Sequence, residues 1–327
     1  MISAKPITIA GAGLIGASIA WRLAQAGATV RLFDSGRVGG EASWAGAGML
    51  APGSEFLRQS QWTELALESL DLYPGYVEEL RQESGLEIDY VGCGAIEYPG
   101  APEDWPAMRE RGESQRAYGL ACEVGENELR YPRDAVVDPR QVMDALAEAC
   151  RRRGVEIHEG APLNHYDTQG APLVIAAGAW SGRLAITENG KKVPLPETVP
   201  VKGHLLGYRL EPGTLKTILR RGHTYVLQRS NGYTLAGSNE ERIGFDREIN
   251  AKVVADIAER AARLCPLLEG RAHEEAWCGF RPQTKTGALA LGRVEGTSVW
   301  LAYGHYRNGI LMAPSTARRI AEELVAG

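Results

Sequence analysis

Three glycines and an acidic residue have the clearest chemical spacing in this sequence. Gly11, Gly13 and Gly16 form a G-x-G-x-x-G pattern, and Asp34 stands 18 residues after the last of them. Such glycines let the backbone approach a pyrophosphate at the start of a helix, and an acid about 20 positions later binds ribose hydroxyls. The spacing predicts a dinucleotide site. The neighbouring residues expected to contact the ligand there are Leu14, Ile15 and Ser35.

The residues around these glycines have the pattern of a βαβ unit. Residues 7–10 form a short apolar run typical of a buried strand, residues 14–26 have a helical pattern that ends at Gly27, and residues 28–33 form a second strand. Strand, helix, strand and acid thus stand in the order that dinucleotide binding requires. A bare G-x-G-x-x-G without this context would equally fit a glycine-rich turn.

A second segment rich in small residues, 39–52, follows the predicted ribose-binding acid. Such a loop lets the backbone lie against a large planar cofactor, which favours a flavin dinucleotide over a nicotinamide one. No acid follows it at the spacing of a second dinucleotide site, so one dinucleotide is expected. A short small-residue helix packed on the sheet fits the same residues. The predicted cofactor contacts in this segment are Ser43, Ala47, Gly48 and Met49.

Composition excludes several classes of protein. The chain has 327 residues, 44% hydrophobic and 24% charged, with a formal charge of −5, which is ordinary globular composition. No stripe of Lys and Arg indicates binding to nucleic acid or to an anionic membrane, so the expected partner is a small molecule. Glycine is in excess, with 39 residues, and ten of them lie between positions 11 and 53, where the cofactor is expected.

The cysteines, histidines and apolar runs predict no disulfide framework, no metal site and no membrane span. Five cysteines are an odd number at wide spacings with no C-x-x-C, which is typical of a cytoplasmic protein. The six histidines lack the spacing of metal ligands. No run of 18 apolar residues exists.

The rest of the chain reads as helices and strands that return to the nucleotide lobe. Helical patterns cover residues 61–83, 138–153, 250–264 and 314–325, the second with Asp138 and Pro139 as a start signal. Strand patterns cover residues 155–157, 173–178, 201–238 and 298–303, with Asn231 and Gly232 as a hairpin turn. The nucleotide lobe is therefore expected to be assembled from three separated pieces.

Five motifs together resemble one known family. They are residues 40–52, 176–181 (AAGAWS), 200–203 (PVKG), 277–284 (WCGFRPQT) and 304–314 (GHYRNGILMAP). In this order, along almost the whole chain, they are similar to the FAD-dependent D-amino-acid oxidase superfamily, and within it to the glycine oxidases of thiamine biosynthesis.

The resemblance implies an α/β fold with two interleaved lobes. One is a doubly wound, Rossmann-like FAD-binding lobe made of residues 1–84, 132–186 and 277–327. The other is an antiparallel, β-rich α+β substrate lobe made of residues 85–131 and 187–276. FAD is expected to be held non-covalently.

The resemblance also implies roles for individual residues. Arg281 matches the family's carboxylate-binding arginine, Arg307 its companion in the terminal loop, and Tyr225 a tyrosine on the substrate side. A planar guanidinium binds a carboxylate bidentately and so orients the substrate. Backbone amides near residues 309–311 are expected to favour negative charge on the reduced flavin. The implied cofactor contacts are Ala177, Gly178, Trp180, Arg281, His305, Arg307, Asn308, Gly309, Ile310 and Leu311.

The resulting prediction is a flavoprotein oxidase that deaminates glycine or another small amino acid to the 2-oxo acid, releasing ammonia and hydrogen peroxide. Its partners would be an amino-acid or amine substrate and O2, with a homo-oligomer left open. The alternatives are an oxidase or dehydrogenase of D-amino acids or N-methyl amino acids, and a flavin-binding subunit of a larger complex. Departures from the family pattern are Asp34 in place of glutamate, a short stretch between residues 157 and 173, and Glu240 where an apolar residue is usual.

Overall fold

Helices and strands alternate along the first half of the chain, and strands dominate the second half. The computed structural model describes residues 5–55 and 60–326, which form twenty strands and seven α-helices. The first half contains β1 (Ile7–Ala10), α1 (Leu14–Gln25), β2 (Val30–Phe33), α2 (Ala42–Ala45), β3 (Met49–Leu50), α3 (Gln61–Ser84), β4 (Tyr90–Val91), β5 (Ala95–Tyr98), α4 (Trp105–Ala117), β6 (Glu123–Val124), β7 (Leu129–Tyr131), β8 (Ala135–Val137) and α5 (Pro139–Arg152). The second half contains β9 (Glu156–His158), β10 (His165–Asp167), β11 (Leu173–Ile175), β12 (Ala185–Glu188), β13 (Lys191–Lys192), β14 (Thr198–Arg209), β15 (Ile218–Arg221), β16 (Thr224–Gln228), β17 (Tyr233–Gly237), α6 (Ala251–Leu264), β18 (Glu275–Thr284), β19 (Ala290–Arg293), β20 (Val299–Tyr303) and α7 (Ala313–Ala326).

Six strands form a sheet in the order β19-β20-β11-β1-β2-β9. Neighbours are parallel except β19, which is antiparallel to β20. Helix α1 leads from β1 to β2, whereas β11 lies on the other side of β1, so the strand order reverses at β1. In sheets of this kind ligands bind beyond the carboxyl ends of the strands at the point of reversal.

The two faces of this sheet are covered differently. Ile9 and Val174 belong to a core shared with helices α1, α3, α5 and α7. Ile175, on the opposite face, belongs to a second core with Ile186 of β12. Strands β10, β12 and β13 form a three-stranded sheet there, where the doubly wound prediction would place helices. Because the short stretch after β9 supplies only β10, the hairpin of this small sheet comes from β12 and β13.

Eight strands form a larger sheet in the order β18-β14-β17-β16-β15-β5-β7-β6. Its neighbours are antiparallel except β5 and β15, which a long connection allows to run parallel. Strands β14 and β18 pair without a break from Thr198 with Thr284 to Gly207 with Glu275. Helix α6 packs on one face through Ile257 and Ala261. Strands β3, β8 and β4 form a further small sheet. In the chain, β3 and β4 come before strand β5 of the larger sheet, and β8 follows strand β7 of that sheet.

Several local predictions are confirmed. The side chain of Asp138 accepts a hydrogen bond from the Arg140 amide at the start of α5, and Asn250 caps α6 in the same way. Gly232 has φ +84° in the turn between β16 and β17. The sequence predicts such features well because helix caps and turns depend on residues only a few positions apart.

The predicted α/β class is confirmed, and the division into lobes can be compared with the strand pairing. The boundaries after residues 84 and 131 coincide with the ends of α3 and β7. The boundaries after residues 186 and 276 fall inside β12 and β18. By pairing, β12 belongs with β10, and β18 belongs with β14 of the eight-stranded sheet. Composition does not mark these two boundaries, because each falls within a strand rather than in a loop.

Candidate active site

The three glycines of the first loop have different neighbours. Gly11 has φ +106°, and a Cβ atom there would lie 2.4 Å from the Ala176 carbonyl oxygen. A Cβ on Gly16 would lie 1.9 Å from the Gly11 carbonyl oxygen. A Cβ on Gly13 would meet only the Ser43 hydroxyl oxygen, at 3.3 Å. The first and third glycines therefore allow close packing of α1 against β1 and β11, while the second leaves space above the start of α1.

Two side chains hold the loop in this position. The Leu14 amide donates a 2.8 Å hydrogen bond to the Ser43 hydroxyl oxygen. The Asp34 carboxylate accepts one bond from the Ala12 amide and another from the Gly36 amide, both 2.8 Å long. Asp34 thus joins the glycine loop to the end of β2. Each carboxylate oxygen keeps a lone pair for a hydroxyl, so the predicted contact with ribose fits, and it stays a prediction.

A cavity of about 500 Å³ starts at the carboxyl ends of β1, β2, β11 and β20 and extends to β14, β16 and β18 of the larger sheet. This volume is typical of a cofactor or small-molecule site. The predicted site residues that line the cavity are Gly11, Gly13, Leu14, Ile15, Asp34, Ser35, Ser43, Ala47, Gly48, Met49, Ala177, Gly178, Trp180, Tyr225, Arg281, His305, Arg307, Asn308, Gly309 and Ile310.

Two predicted cofactor contacts, Gly16 and Leu311, do not line the cavity. Gly16 lies beneath the Gly11 carbonyl, where it serves the packing of helix on strand. The Leu311 side chain is buried in the core formed with α3 and α7. Spacing alone did not separate residues that face the ligand from residues that pack the loop.

Loops distant in sequence meet across the cavity through residues without bulky side chains. A Cβ on Gly46 would lie 2.4 Å from Cδ1 of Ile310, and a Cβ on Gly279 would lie 2.4 Å from Cβ of Ala45. The backbone of the small-residue loop is therefore pressed between β18 and the terminal loop. A long, flat ligand that begins at the start of α1 and ends between the two sheets fits this cradle, as FAD requires.

The terminal loop presents backbone donors to the cavity. In the described part of the chain, no acceptor takes a hydrogen bond from the amides of residues 309–311, although the neighbouring Asn308 and Met312 amides are bonded. These amides precede α7, whose N-terminal end carries partial positive charge. The arrangement fits the predicted stabilisation of negative charge on a reduced flavin.

Arg281 lies across strand β14 because the residue beneath it is glycine. A Cβ on Gly203 would lie 2.3 Å from Nη1 of Arg281. The guanidinium donates a 3.0 Å hydrogen bond to the Asn239 carbonyl and a 2.5 Å bond to the Ser238 hydroxyl oxygen. All these partners are neutral, so the positive charge of Arg281 is held in place but not neutralised.

Tyr225 is placed by a second glycine in the same way. It pairs with Gly237 across β16 and β17, and a Cβ on that glycine would lie 2.6 Å from the tyrosine hydroxyl oxygen. Burial raises the pKa of Tyr225, and the charges of Arg281 and Arg307 oppose this rise. The hydroxyl therefore stays protonated at neutral pH and can donate a hydrogen bond to a substrate carboxylate.

Arg307 is bound by two carboxylates of this chain. Its Nη2 lies 2.9 Å from Oε1 of Glu55, and its Nη1 lies 3.5 Å from Oε1 of Glu240. The Tyr306 hydroxyl donates a 2.5 Å hydrogen bond to the same Glu240 oxygen. Sequence reasoning named Glu240 but missed Glu55 and Tyr306. Nothing local marks Glu55, whereas Tyr306 stands inside the GHYRNG motif.

His305 and Lys202 are held by contacts within the protein. His305 is buried beside the cavity, its Nε2 lies 3.0 Å from the Thr316 hydroxyl oxygen, and burial lowers its pKa to about 3. It is therefore neutral at physiological pH. The Lys202 ammonium is 3.4 Å from Asp246 and donates to the Glu248 carbonyl, on the face of β14 opposite Gly203.

Within the ranges 5–55 and 60–326, no three His, Cys, Asp or Glu side chains come together as a metal site. Over the same ranges, no helix is both long and apolar enough to cross a membrane.

Comparison with known proteins gives the same picture over the whole chain. The family model for FAD dependent oxidoreductases matches residues 6–323. A glycine oxidase of Geobacillus kaustophilus is 33% identical, over 97% of this chain and 92% of that protein. A crystal structure of glycine oxidase from Geobacillus kaustophilus superimposes with a TM-score of 0.91 over 98% of this chain and 94% of that one, at 29% identity. The bifunctional protein ThiO/ThiG of Synechocystis is 31% identical over 98% of this chain and 52% of its own length.

The match is continuous through both sheets, and the cavity between them runs from the start of α1 to Tyr225 and Arg281 of the larger sheet. The chain therefore belongs to the FAD dependent oxidoreductase family, as an FAD-dependent amine oxidoreductase.

Proposed function

We propose that the protein oxidises glycine or another small amino acid at the carbon that bears the amine. Glycine, O2 and water would give glyoxylate, ammonia and hydrogen peroxide, and a larger amino acid would give its 2-oxo acid. One observation carries the proposal: Arg281 and Tyr225 lie over Gly203 and Gly237 at the end of the cavity that the larger sheet forms. The similarity to glycine oxidases supports it.

The residues of the cavity bind and orient the substrate. FAD, when bound, supplies an acceptor for a hydride and passes the two electrons on to O2. Arg281 binds the substrate carboxylate through its two terminal nitrogens, and the Tyr225 hydroxyl donates a further hydrogen bond. This grip fixes the carbon that bears the amine, so the reaction proceeds from a held geometry.

The reaction proposed here does not require a strong base among the side chains of the site. His305 is neutral and bonded to Thr316. Glu55, the acid beside Arg307, is held in an ion pair. Neither group is free to act as a strong base, so the side chains contribute by positioning and by electrostatics. The amine is expected to lose its proton to water before the hydride leaves.

Anaerobic mixing tests the proposal directly. We expect glycine, sarcosine or a small D-amino acid to bleach the flavin absorption band, and readmitted air to restore it with one peroxide per turnover. Bleaching without peroxide, but with reduction of an artificial dye, would identify a dehydrogenase instead. No bleaching by any of these compounds would refute the proposal.

Arg281→Ala tests the carboxylate grip. A charge-assisted hydrogen bond contributes about 1.5–3 kcal/mol, so KM should rise about 10- to 150-fold while the flavin stays bound. Arg281→Lys, which keeps the charge but loses the planar fork, should recover only part of the loss. The matched control is Arg271→Ala, at an exposed arginine that does not line the cavity. Unchanged kinetics in the Arg281 variants would remove this residue from substrate binding.

A further inference from the structure

We propose that Glu240 makes this site discriminate by charge: amino acids with a neutral or cationic substituent are accepted, and those with a second anionic group are disfavoured. The inference rests on the proposed function, because it concerns the substrate of the same cavity. Glu240 acts on the substrate through space and through Arg307, so it is a specificity-determining residue and takes no part in the chemical step.

Arg307 is already paired with two carboxylates of this chain. This guanidinium lies between Glu55 at 2.9 Å and Glu240 at 3.5 Å. An arginine beside a substrate site usually offers its charge to an anionic group of the ligand. Here two carboxylates of the chain already occupy it. Arg307 therefore has no unneutralised charge to offer to a second substrate carboxylate.

Arg281 supplies the positive charge that binds a substrate carboxylate at this end of the cavity. Within residues 5–55 and 60–326, Arg281 donates only to the neutral oxygens of Lys202, Ser238 and Asn239. Its single positive charge is neutralised when one substrate carboxylate binds. The charge of Arg307 is already exceeded by those of Glu55 and Glu240. With one substrate carboxylate bound, the four side chains Arg281, Arg307, Glu55 and Glu240 leave one net negative charge, which a second anionic group on the substrate would meet.

Contacts with two cavity-lining residues, Tyr306 and Arg307, fix the position of Glu240. Arg281 bonds to Ser238 and Asn239, so the segment that carries Glu240 begins at the carboxylate-binding group itself. Ser238 and Glu240 are two positions apart, so their Cα atoms lie within about 7 Å of each other. The Tyr306 hydroxyl, in the loop that lines the cavity, holds the carboxylate at 2.5 Å.

The ionisation of Glu240 agrees with this role. Burial tends to raise its pKa, but the hydrogen bond from Tyr306 and the charges of Arg307, Arg281 and His223 outweigh burial and leave the pKa below its usual value. The Glu240 side chain is 31% exposed and lines a neighbouring pocket, while its carboxylate contacts Tyr306 and Arg307, two residues that line the cavity. A negative charge there acts on a substituent that extends from the substrate toward Tyr306 and Arg307.

The experiment uses the holoenzyme and three N-substituted glycines of similar size. Iminodiacetate carries a second carboxylate, its monoamide is neutral at that position, and N-(2-aminoethyl)glycine is cationic. Like charges roughly 10 Å apart near a protein surface change a rate or affinity about tenfold. We expect kcat/KM for flavin reduction to be about tenfold lower for the diacid than for the monoamide, and highest or equal for the cation.

Glu240→Gln keeps the acceptor for Tyr306 and removes the charge. In this variant the ratio of monoamide to diacid should fall toward one, with each kcat/KM expressed relative to that for glycine in the same variant. Glu322→Gln, on the exposed surface of α7, changes the net charge equally and should keep the wild-type ratio. A wild-type ratio near one, or a ratio that Glu240→Gln leaves unchanged, would overturn the inference while glycine turnover upheld the proposed function.

A binding measurement decides the case in which no amino acid reduces the flavin. Malonate and its monoamide, malonamate, are unreactive carboxylates that differ by one charge, and their binding is followed by the change in the flavin spectrum. Weaker binding of malonate that Glu240→Gln relieves would support charge discrimination even though the proposed function had failed. Equal affinities in wild type and variant would overturn it.

Discussion

Gly203→Ala should impair substrate binding without unfolding the protein. The added Cβ would lie 2.3–2.5 Å from three atoms of the Arg281 guanidinium, whereas ordinary contact begins at 3.4 Å. The guanidinium must therefore move by about 1 Å. The end of an arginine side chain is flexible, so the strand pairing of β14 with β18 can persist while the guanidinium leaves its bonds to Ser238 and Asn239.

The size of the effect follows from what this shift breaks. A displacement of about 1 Å in a positioning group can cost about a hundredfold in rate. The loss of one charge-assisted hydrogen bond to the substrate costs about 1.5–3 kcal/mol, or roughly 10- to 150-fold. We expect kcat/KM for the best amino-acid substrate to fall within this range. The free energy of unfolding should fall by only about 1 kcal/mol, since the lost bonds are those of a partly exposed side chain.

The assay is anaerobic flavin reduction at varied substrate concentration, with urea unfolding measured on the same samples. Gly75→Ala is the activity control, because a Cβ there meets nothing within 4 Å in the described part of the chain, and it should leave kcat/KM near wild type. Gly75 lies inside α3, so alanine there should raise the free energy of unfolding by about 1 kcal/mol, opposite in sign to the change expected for Gly203→Ala. In an Arg281→Ala background, Gly203→Ala should change kcat/KM less than about twofold, because the two substitutions act on one contact. An undiminished kcat/KM in the single variant, or additive losses in the double variant, would refute the geometry described for Arg281.

Two further predictions concern the cofactor and the stability of the larger sheet. Gly11→Ala would place a Cβ 2.4 Å from the Ala176 carbonyl oxygen at φ +106°, so the purified variant should lack the flavin absorption band, and full flavin content would contradict the cradle. Burial raises the pKa of Asp134 from 3.8 to about 7, against the ion pair with Arg220 at 3.2 Å and with the help of Glu97. The folded state then holds a proton that the unfolded chain releases, so stability should fall as pH rises from about 4 to 7, by up to about 1.4 kcal/mol per pH unit. Asp134→Asn should flatten this slope in urea unfolding at several pH values, and parallel slopes would contradict the assignment.

Much of the nucleotide end was predictable because its signals are local. The glycines of the first loop, the acid after β2 and the cap at Asp138 act on residues a few positions away or on the next element of one βαβ unit. The structure confirms their elements, β1, α1, β2 and α5. The motif 304–314 likewise predicted a cavity-lining loop, and most of its residues line the cavity.

The surroundings of the site arginines were not predictable in this way. Glu55 meets Arg307 from the opposite end of the chain, and Gly203 lies under Arg281 only because β14 and β18 pair in one particular register. A shift of one residue in that register would turn the Arg281 side chain to the other face. No pattern within either strand specifies the partner or the register.

The sequence by itself determined the order of the elements, the dinucleotide loop and the residue types that can hold a carboxylate. Only the tertiary structure decided which of these residues face one cavity, that two carboxylates pair with Arg307 while Arg281 donates to neutral oxygens, and that Glu240 contacts the cavity-lining loop. The physical reason is the separation in sequence of the interacting residues. Helix periodicity, caps and turns arise from neighbours in the chain, whereas charge balance in a cavity arises from loops and strands that meet only after both sheets have formed.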